Sequence, residues 1–294
     1  MLAGLSIALI AGLIAMLGWG TSDFFAKKSV DKIDYAIALF WMQTLGIIPL
    51  LIFFLFRIDF SGITSGILWK VALLAIIDMI GYLFFYRALE KGKVSIVGPI
   101  VASYSALSVI IMVIFLGEKL SPLTIIFLSL IFIGIIITSI DFGELKKYGI
   151  RKQDLTKGVP EAILGALFFS IWFPFWDRLQ SGQNWLTLVV ILRSISALFL
   201  LGILKISKKT VIVKDKTVFY WLLIVGLLDA IAYAGLTWGY GLSSYSSIII
   251  MLSATYSVPT LILARIFLKE KLPKIQIFGI TLILLSIALL ALVR

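Results

Sequence analysis

Three charged side chains lie in the middle of long apolar stretches of this sequence: Asp78, Asp229 and Arg193. A charge at the centre of a bilayer costs roughly 2.5–3.5 kcal/mol on insertion scales, so each is expected to face a protein interior or a water-filled cavity. The two carboxylates could bind the cationic group of a substrate or a coupling proton. In the alternative interpretation, Arg193 neutralises one carboxylate and the pair holds helices together.

Aromatic side chains recur at helical spacing beside both aspartates. Tyr82 lies one turn after Asp78, and Tyr233 lies one turn after Asp229. A face that combines a carboxylate with a phenol suits a pocket for aromatic or cationic ligands. Packing or an interfacial belt explains many single tyrosines, and that alternative stays open.

Further polar and aromatic residues extend this predicted site, and Asp23, near Trp19 on the first helix, is a weaker candidate. The predicted substrate-binding set is Trp19, Gln43, Asp78, Tyr82, Tyr104, Trp172, Arg193, Asp229, Tyr233 and Tyr256, with Asp78 and Asp229 also predicted to carry a coupling proton.

The composition is that of a membrane protein. Of the 294 residues, 61% are hydrophobic and 14% are charged, and the mean hydropathy is +1.12. A soluble domain is about 45–50% apolar and about 25% charged. The chain has neither cysteine nor histidine, which removes the commonest thiolate and imidazole ligands and the commonest general base. We therefore predict no enzyme activity, no metal and no cofactor.

Ten apolar stretches are long enough to cross a bilayer as helices, the only open-chain structure that satisfies its own backbone there. The first is interpreted as a membrane helix and not as a removable signal peptide. The predicted spans are 4–26, 34–56, 67–88, 94–116, 121–140, 158–177, 185–204, 218–240, 244–267 and 272–293.

The sequence repeats itself at an offset of about 150 residues. LAIIDMIGY at 74–82 matches VGLLDAIAY at 225–233, and FLGEKLSP at 115–122 matches FLKEKLP at 267–273. The same offset aligns Gln43 with Arg193. The predicted units are 1–141 and 158–294, joined by a connecting loop at 142–157. Each unit holds five spans, and because five is odd, the second copy must be inverted in the membrane, as in many secondary transporters.

Basic residues are distributed unevenly between the two predicted sides. Nineteen of the 26 lysines and arginines fall in the loops on the side opposite the termini, and five fall on the side of the termini. By the positive-inside rule, both termini are predicted to lie outside the cell membrane. The net charge of +11 is explained by these loops, so no nucleic-acid partner is predicted.

Several motifs resemble the EamA family of the drug/metabolite transporter superfamily. Trp19-Gly20, Arg193 and the GEKLSP turn at 117–122 match the family pattern, whereas Gln43 replaces an arginine and Phe169 replaces a tryptophan. The resemblance implies a basket of helices around a central cavity, which exports or exchanges metabolites such as amino acids, nucleobases or sugar conjugates. Family members are often assigned cytoplasmic termini, which is opposite to the orientation that the basic residues predict here.

We therefore predict an all-α integral membrane transporter that moves a small metabolite, with an amino acid-, amine- or nucleobase-like structure, by alternating access. The expected partners are this metabolite and membrane lipid, and a homodimer is left open. The alternatives are an integral membrane enzyme acting on lipid-linked substrates, a passive channel, or an assembly protein. Glu118 and Glu270 are interpreted as solvated turn residues that set helix ends.

Overall fold

The computed structural model describes residues 2–91, 97, 100–139, 157–180, 182–267 and 273–292, and these ranges contain helices and turns but no strand. The connecting loop predicted at 142–157 lies outside them except for its last residue, as do Glu270 and part of the span predicted at 94–116. The helices of the first half are α1 (Leu2–Val30), α2 (Tyr35–Phe54), α3 (Ser65–Lys91), α4 (Tyr104–Ile114) and α5 (Pro122–Ser139).

The second half is built in the same way. Its helices are α6 (Val159–Gln180), α7 (Trp185–Ile206), α8 (Lys216–Leu242), α9 (Ser246–Ser253), α10 (Ser257–Phe267) and α11 (Lys274–Leu290), with a short 3₁₀ turn at Ala254–Tyr256 between α9 and α10.

Seven helical segments of the described ranges are long and apolar enough to cross a membrane, and three shorter apolar helices accompany them. Large apolar side chains such as Ile52, Trp69 and Leu198 point away from the protein interior. An aqueous surface does not tolerate such a dense apolar exterior, whereas lipid does. The chain is therefore a multi-pass helical membrane protein.

The span predicted at 244–267 is interrupted, contrary to the expectation of one continuous helix. The break at Ala254–Tyr256 lies just before Pro259. A proline inside a helix lacks the N–H donor, and its ring crowds the carbonyl four residues earlier, which here belongs to Thr255. At this break, the Thr260 hydroxyl donates a hydrogen bond of 2.8 Å to the Gly20 carbonyl of α1, so a neighbouring helix packs tightly against the irregular backbone.

Contacts between the two halves occur in exchanged pairs. Helix α1 packs on α8, and α3 packs on α6; α2 packs on α8, and α3 packs on α7. Helix α1 also contacts α9, and α4 contacts α6, while α2–α7 and α5–α11 pair across the centre. If α9 and α10 are taken together as one span and the spans of the two halves are equated in chain order, each of the contacts named above has a counterpart with the halves exchanged. The halves are thus interlocked around the middle of the bundle.

Glycines allow the closest of these approaches. A side chain at Gly235 or Gly239 of α8 would overlap Ile14 or Ala11 of α1. This Gly-xxx-Gly pattern, which could have indicated dimerisation, therefore packs α1 against α8 within the chain.

The turns at one end of the bundle are tied to each other. The Asn184 amide donates a hydrogen bond of 2.9 Å to the Arg57 carbonyl, and the Glu118 carboxylate accepts hydrogen bonds from Ser247. We call this the Glu118 end.

Ion pairs connect the turns at the opposite end. Lys209 contacts Asp34 at 2.5 Å, and Lys32 contacts Asp215 at 3.5 Å. We call this the Asp34 end. The chain alternates between the two ends, as successive membrane crossings require.

Candidate functional site

A narrow cavity of about 40 Å³ lies in the middle of the bundle, enclosed by helices from both halves. Six of the ten predicted site residues line it. The complete lining is Trp19, Asp23, Asp78, Tyr82, Phe85, Val101, Tyr104, Phe169, Phe173, Tyr233 and Tyr256. This volume holds only a few water molecules. An organic ligand would therefore require the surrounding helices to separate.

Asp78 is the most enclosed carboxylate of the cavity, with 1% of its surface exposed. The Tyr233 hydroxyl, from the facing helix α8, donates a hydrogen bond of 2.5 Å to its Oδ2 atom. Within the described ranges, no lysine or arginine forms an ion pair with Asp78. A neutral phenol orients this carboxylate without cancelling its charge.

Asp229 has a different environment, although it occupies the equivalent position of the second repeat. Its Oδ2 atom accepts hydrogen bonds from both terminal nitrogens of Arg193, at 2.7 and 2.8 Å. The Trp19 indole donates to its Oδ1 atom at 3.0 Å. Asp229 lies behind the cavity wall, and both of its oxygens are occupied by this protein's own donors.

The packing around Arg193 fixes this ion pair. The guanidinium is fully buried and lies 5.4 Å from the centre of the Tyr233 ring. It fills the space beside Gly46 of α2, where any larger residue would overlap it. Arg193 is therefore paired with Asp229 and lies outside the described lining of the cavity.

The two repeats therefore surround equivalent aspartates with different partners. Where the second repeat has Arg193, the first has Gln43, whose amide nitrogen contacts the Met79 sulfur at 3.7 Å and whose amide oxygen has no partner among the described residues. Where Trp19 reaches Asp229, the equivalent residue of α6 is Phe169, which has no polar hydrogen. Its ring packs edge-on against Tyr82 at 5.1 Å, as the Trp19 ring does against Tyr233 at 5.4 Å.

Asp23 is the second carboxylate of the cavity. From the sequence alone Asp23 was a weaker candidate, because interfacial anchoring explains a polar residue at its position on the first helix equally well. The structure places Asp23 on the cavity wall, where no hydrogen-bond or ion-pair partner reaches it from the described residues. Its position one helical turn after Trp19, on the same face of the helix, is the signal that could have identified it.

Trp172 lies in an aromatic cluster beside the cavity and does not line it. Its ring stacks on Trp176 at 5.7 Å and meets Tyr233 edge-on at 5.5 Å. The Trp176 indole in turn donates to the Thr237 hydroxyl at 3.2 Å. These rings separate the central cavity from the Glu118 end.

A vestibule of about 340 Å³ opens beside the central cavity towards the Asp34 end. Asp23 and Phe85 line both spaces. A larger vestibule of about 740 Å³ lies at the Glu118 end and shares no lining residue with the central cavity. The cavity therefore adjoins the vestibule at the Asp34 end more closely than the vestibule at the Glu118 end.

Glu118 is partly buried in the larger vestibule and is not a freely solvated turn residue as expected. Its carboxylate accepts hydrogen bonds from the Ser247 amide at 3.1 Å and the Ser247 hydroxyl at 2.8 Å, so it caps the start of α9. Burial raises the pKa of Glu118 to about 7, while the hydrogen bonds from Ser247 act in the opposite direction and the nearby Asp177 adds to the increase.

Comparison with known proteins identifies the family. The model of the EamA-like transporter family matches this chain twice, over residues 6–140 and 156–292. The chain belongs to the EamA-like transporter family. This EamA protein is accordingly a membrane transporter of the drug/metabolite type, built from two copies of the family unit.

Two further proteins are similar to this EamA transporter. An uncharacterized protein of Methanocaldococcus jannaschii is 33% identical over 136 residues, which cover 45% of this chain and 96% of that protein. A solved crystal structure matches with a TM-score of 0.78 and 18% identity, over 98% of this chain and 97% of the other. The first relative thus corresponds to about half of this chain, and the second shares its fold.

Proposed function

We propose that this protein carries a small metabolite across the cell membrane by alternating access, with the substrate bound in the central cavity. The observation that carries this proposal is Asp78, a buried carboxylate that faces the cavity without a counter-ion from the described residues. An uncompensated charge at this depth is costly. It is expected to persist only where a cationic ligand or a proton compensates it during the transport cycle.

Three observations support an architecture of ten helices in two inverted halves. Seven candidate spans and three shorter apolar helices together give ten apolar helices in the described ranges. The contacts between the halves occur in exchanged pairs. A relative that matches 136 residues of this chain over 96% of its own length is consistent with a duplicated five-helix unit. Inverted repeats of this kind provide two similar barriers on opposite sides of one site.

The unequal barriers support the alternating-access part of the proposal. In this conformation the cavity adjoins the vestibule at the Asp34 end through Asp23 and Phe85, while aromatic rings close it from the Glu118 end. The opposite conformation would open the larger vestibule. Because the loops at the Asp34 end carry most of the basic residues, we assign that end to the cytoplasm and both termini to the outside.

We propose different roles for the two repeated aspartates. Asp78 binds the substrate's cationic group or a coupling proton together with Tyr233. Asp229 with Arg193 and Trp19 holds α8 against α7 and α1, and positions Tyr233 from behind. The remaining predicted residues of the cavity wall, Tyr82, Tyr104 and Tyr256, supply aromatic contact with the substrate.

Counterflow into proteoliposomes tests this proposal. The purified full chain would be reconstituted and loaded in turn with amines, amino acids and nucleobases. We expect saturable counterflow of one class and its loss in Asp78→Asn. The matched control is Asp59→Asn, which removes an exposed carboxylate at the Glu118 end. Unchanged counterflow in Asp78→Asn would contradict the proposal, and a flux that does not saturate would indicate a channel.

A further inference from the structure

The central region contains more carboxylates than counter-ions. Asp23 and Asp78 line the same cavity, Asp229 lies behind its wall bonded to Trp19, and Arg193 is the one basic side chain that the described residues bring to them. Arg193 is already bonded to Asp229 through both terminal nitrogens. Asp23 and Asp78 therefore remain without a counter-ion from the described residues, and both of them line the cavity.

The rest of the wall is almost entirely aromatic. Apart from the two acids and Val101, every lining residue is a phenylalanine, tyrosine or tryptophan. The faces of aromatic rings carry partial negative charge and attract cations, an effect that strengthens when water is excluded. The wall thus offers two carboxylates and negative ring faces, together with apolar area for an organic body.

Among the described residues, the lining of the cavity includes no basic side chain that could bind an anionic group. A substrate carboxylate would need a cation, and among the described residues the nearest one is Arg193, which is fully buried behind the wall and occupied by Asp229. To reach it, an anion would have to displace Asp229 and leave that carboxylate buried without a partner, at a cost of several kcal/mol. An amino acid zwitterion would meet the same obstacle at one of its two ends.

We propose that the substrate is an organic ammonium ion with an aromatic or apolar body, bound between Asp23 and Asp78. This inference rests on the proposed function and narrows its substrate class, because it excludes amino acids, nucleobases and organic acids. Asp78, oriented by Tyr233, contacts the ammonium group at the deep end of the cavity. Asp23, at the boundary with the 340 Å³ vestibule, meets the cation on its way in.

Four probes separate charge from shape. Tyramine, tyrosine and 3-(4-hydroxyphenyl)propionate share one ring and differ in charge, and phenyltrimethylammonium is a cation that can neither donate a hydrogen bond nor lose a proton. Binding to the purified full chain would be measured by calorimetry, and uptake would be measured in proteoliposomes. We expect both cations to bind and to be transported, with tyrosine weaker on the order of tenfold or more and with no binding of the acid.

Two variants test the assigned carboxylates. Asp78→Asn and Asp23→Asn should each weaken binding of both cations on the order of tenfold, whereas the exposed control Asp59→Asn should leave it unchanged. If Asp78→Asn does not fold, Asp23→Asn still tests whether a carboxylate of the cavity binds the cation. Its side chain has no partner within the described ranges, so its removal should leave the packing intact.

The possible failures are distinguishable. Saturable uptake of tyrosine, of the acid or of a nucleobase, without uptake of either cation, would overturn the ammonium inference and leave the transporter proposal standing. Equal binding of tyramine and tyrosine would overturn the inference as well. Absence of saturable uptake for every class would overturn both.

Discussion

At the scale of single residues, the main feature of this protein is that two equivalent aspartates have unequal partners. Asp229 accepts three hydrogen bonds from Arg193 and Trp19. Asp78 accepts one from the described residues, from Tyr233. The positions equivalent to Arg193 and Trp19 in the other repeat are Gln43 and Phe169, which do not supply these donors. Asp229 therefore lies paired behind the cavity wall, whereas Asp78 lines the cavity.

The sequence was sufficient to select both aspartates but not to distinguish their roles. Charge at mid-span and repetition at the same depth identified Asp78 and Asp229. Which of them pairs with Arg193 depends on the rotation of α7 and α8 about their axes and on the space beside Gly46, and neither follows from hydropathy. Asp23 was a weaker candidate because interfacial anchoring explained its position near the end of the first predicted span equally well.

The Arg193–Asp229 pair gives a stability prediction at this scale. Removing one partner of a buried ion pair leaves the other charge uncompensated, which typically costs about 3–5 kcal/mol. Arg193→Met should therefore lower the melting temperature of the detergent-solubilised protein strongly. Arg193→Met with Asp229→Leu should recover part of the loss, because no charge is then stranded. Recovery should be incomplete, since the buried Trp19 indole loses its acceptor at about 1–3 kcal/mol. A double variant as unstable as the single one would contradict this structural role.

At the scale of elements, irregular backbone lies next to the site. The 3₁₀ turn at Ala254–Tyr256 interrupts the span predicted as one helix and brings Tyr256 to the cavity wall. Pro259 was visible in the sequence, but prolines are tolerated in membrane helices with outcomes that range from a slight bend to a full break. The close contact with Gly20 of α1 belongs to the packed structure and could not be read from the proline itself.

Helix α9 begins at a carboxylate from the other half of the chain, and this contact predicts a pH dependence. The pKa of Glu118 rises from an ordinary 4.5 to about 7 in the folded protein. Between these values the folded state binds a proton that the unfolded chain has released, so stability falls as the pH rises through this window. The melting temperature should therefore decrease between about pH 5 and pH 8, and Glu118→Gln should reduce that decrease.

The exposed Asp59 provides the control for this experiment. The pKa of Asp59 is lowered by hydrogen bonds from Ser61. Its protonation therefore affects stability only at pH values below the range in which Glu118 titrates. Asp59→Asn should leave the decrease of the melting temperature with rising pH unchanged. An identical pH dependence in Glu118→Gln and in the wild-type protein would show that the contact with Ser247 has no such effect.

At the scale of the whole molecule, hydropathy and the repeat were sufficient to predict a duplicated all-helical membrane protein, and the motifs that include the GEKLSP turn at 117–122 carried its resemblance to the EamA family. These patterns could not predict how the halves interlock, because the contacts of α1 with α8 and of α3 with α6 join residues about 70 to 230 positions apart. These cross-contacts place residues from both halves on one small cavity. The same arrangement leaves a vestibule on each side of that cavity, which is the geometry that alternating access requires.

Accessibility of single cysteines on the two sides of the cavity tests whether the protein works by alternating access. The absence of native cysteine removes any background labelling. Ala26→Cys would report the vestibule at the Asp34 end, and Ser246→Cys would report the vestibule at the Glu118 end. Both positions are small and buried. Labelling by a membrane-impermeant maleimide would be measured from each side, with and without tyramine.

We expect Ala26→Cys to be labelled from the cytoplasmic side and Ser246→Cys to be labelled from the outside. We also expect tyramine to change the two labelling rates in opposite directions. Opposite changes would mean that one barrier opens as the other closes. Rates that rise or fall together, or that do not respond to any transported compound, would contradict alternating access through this cavity.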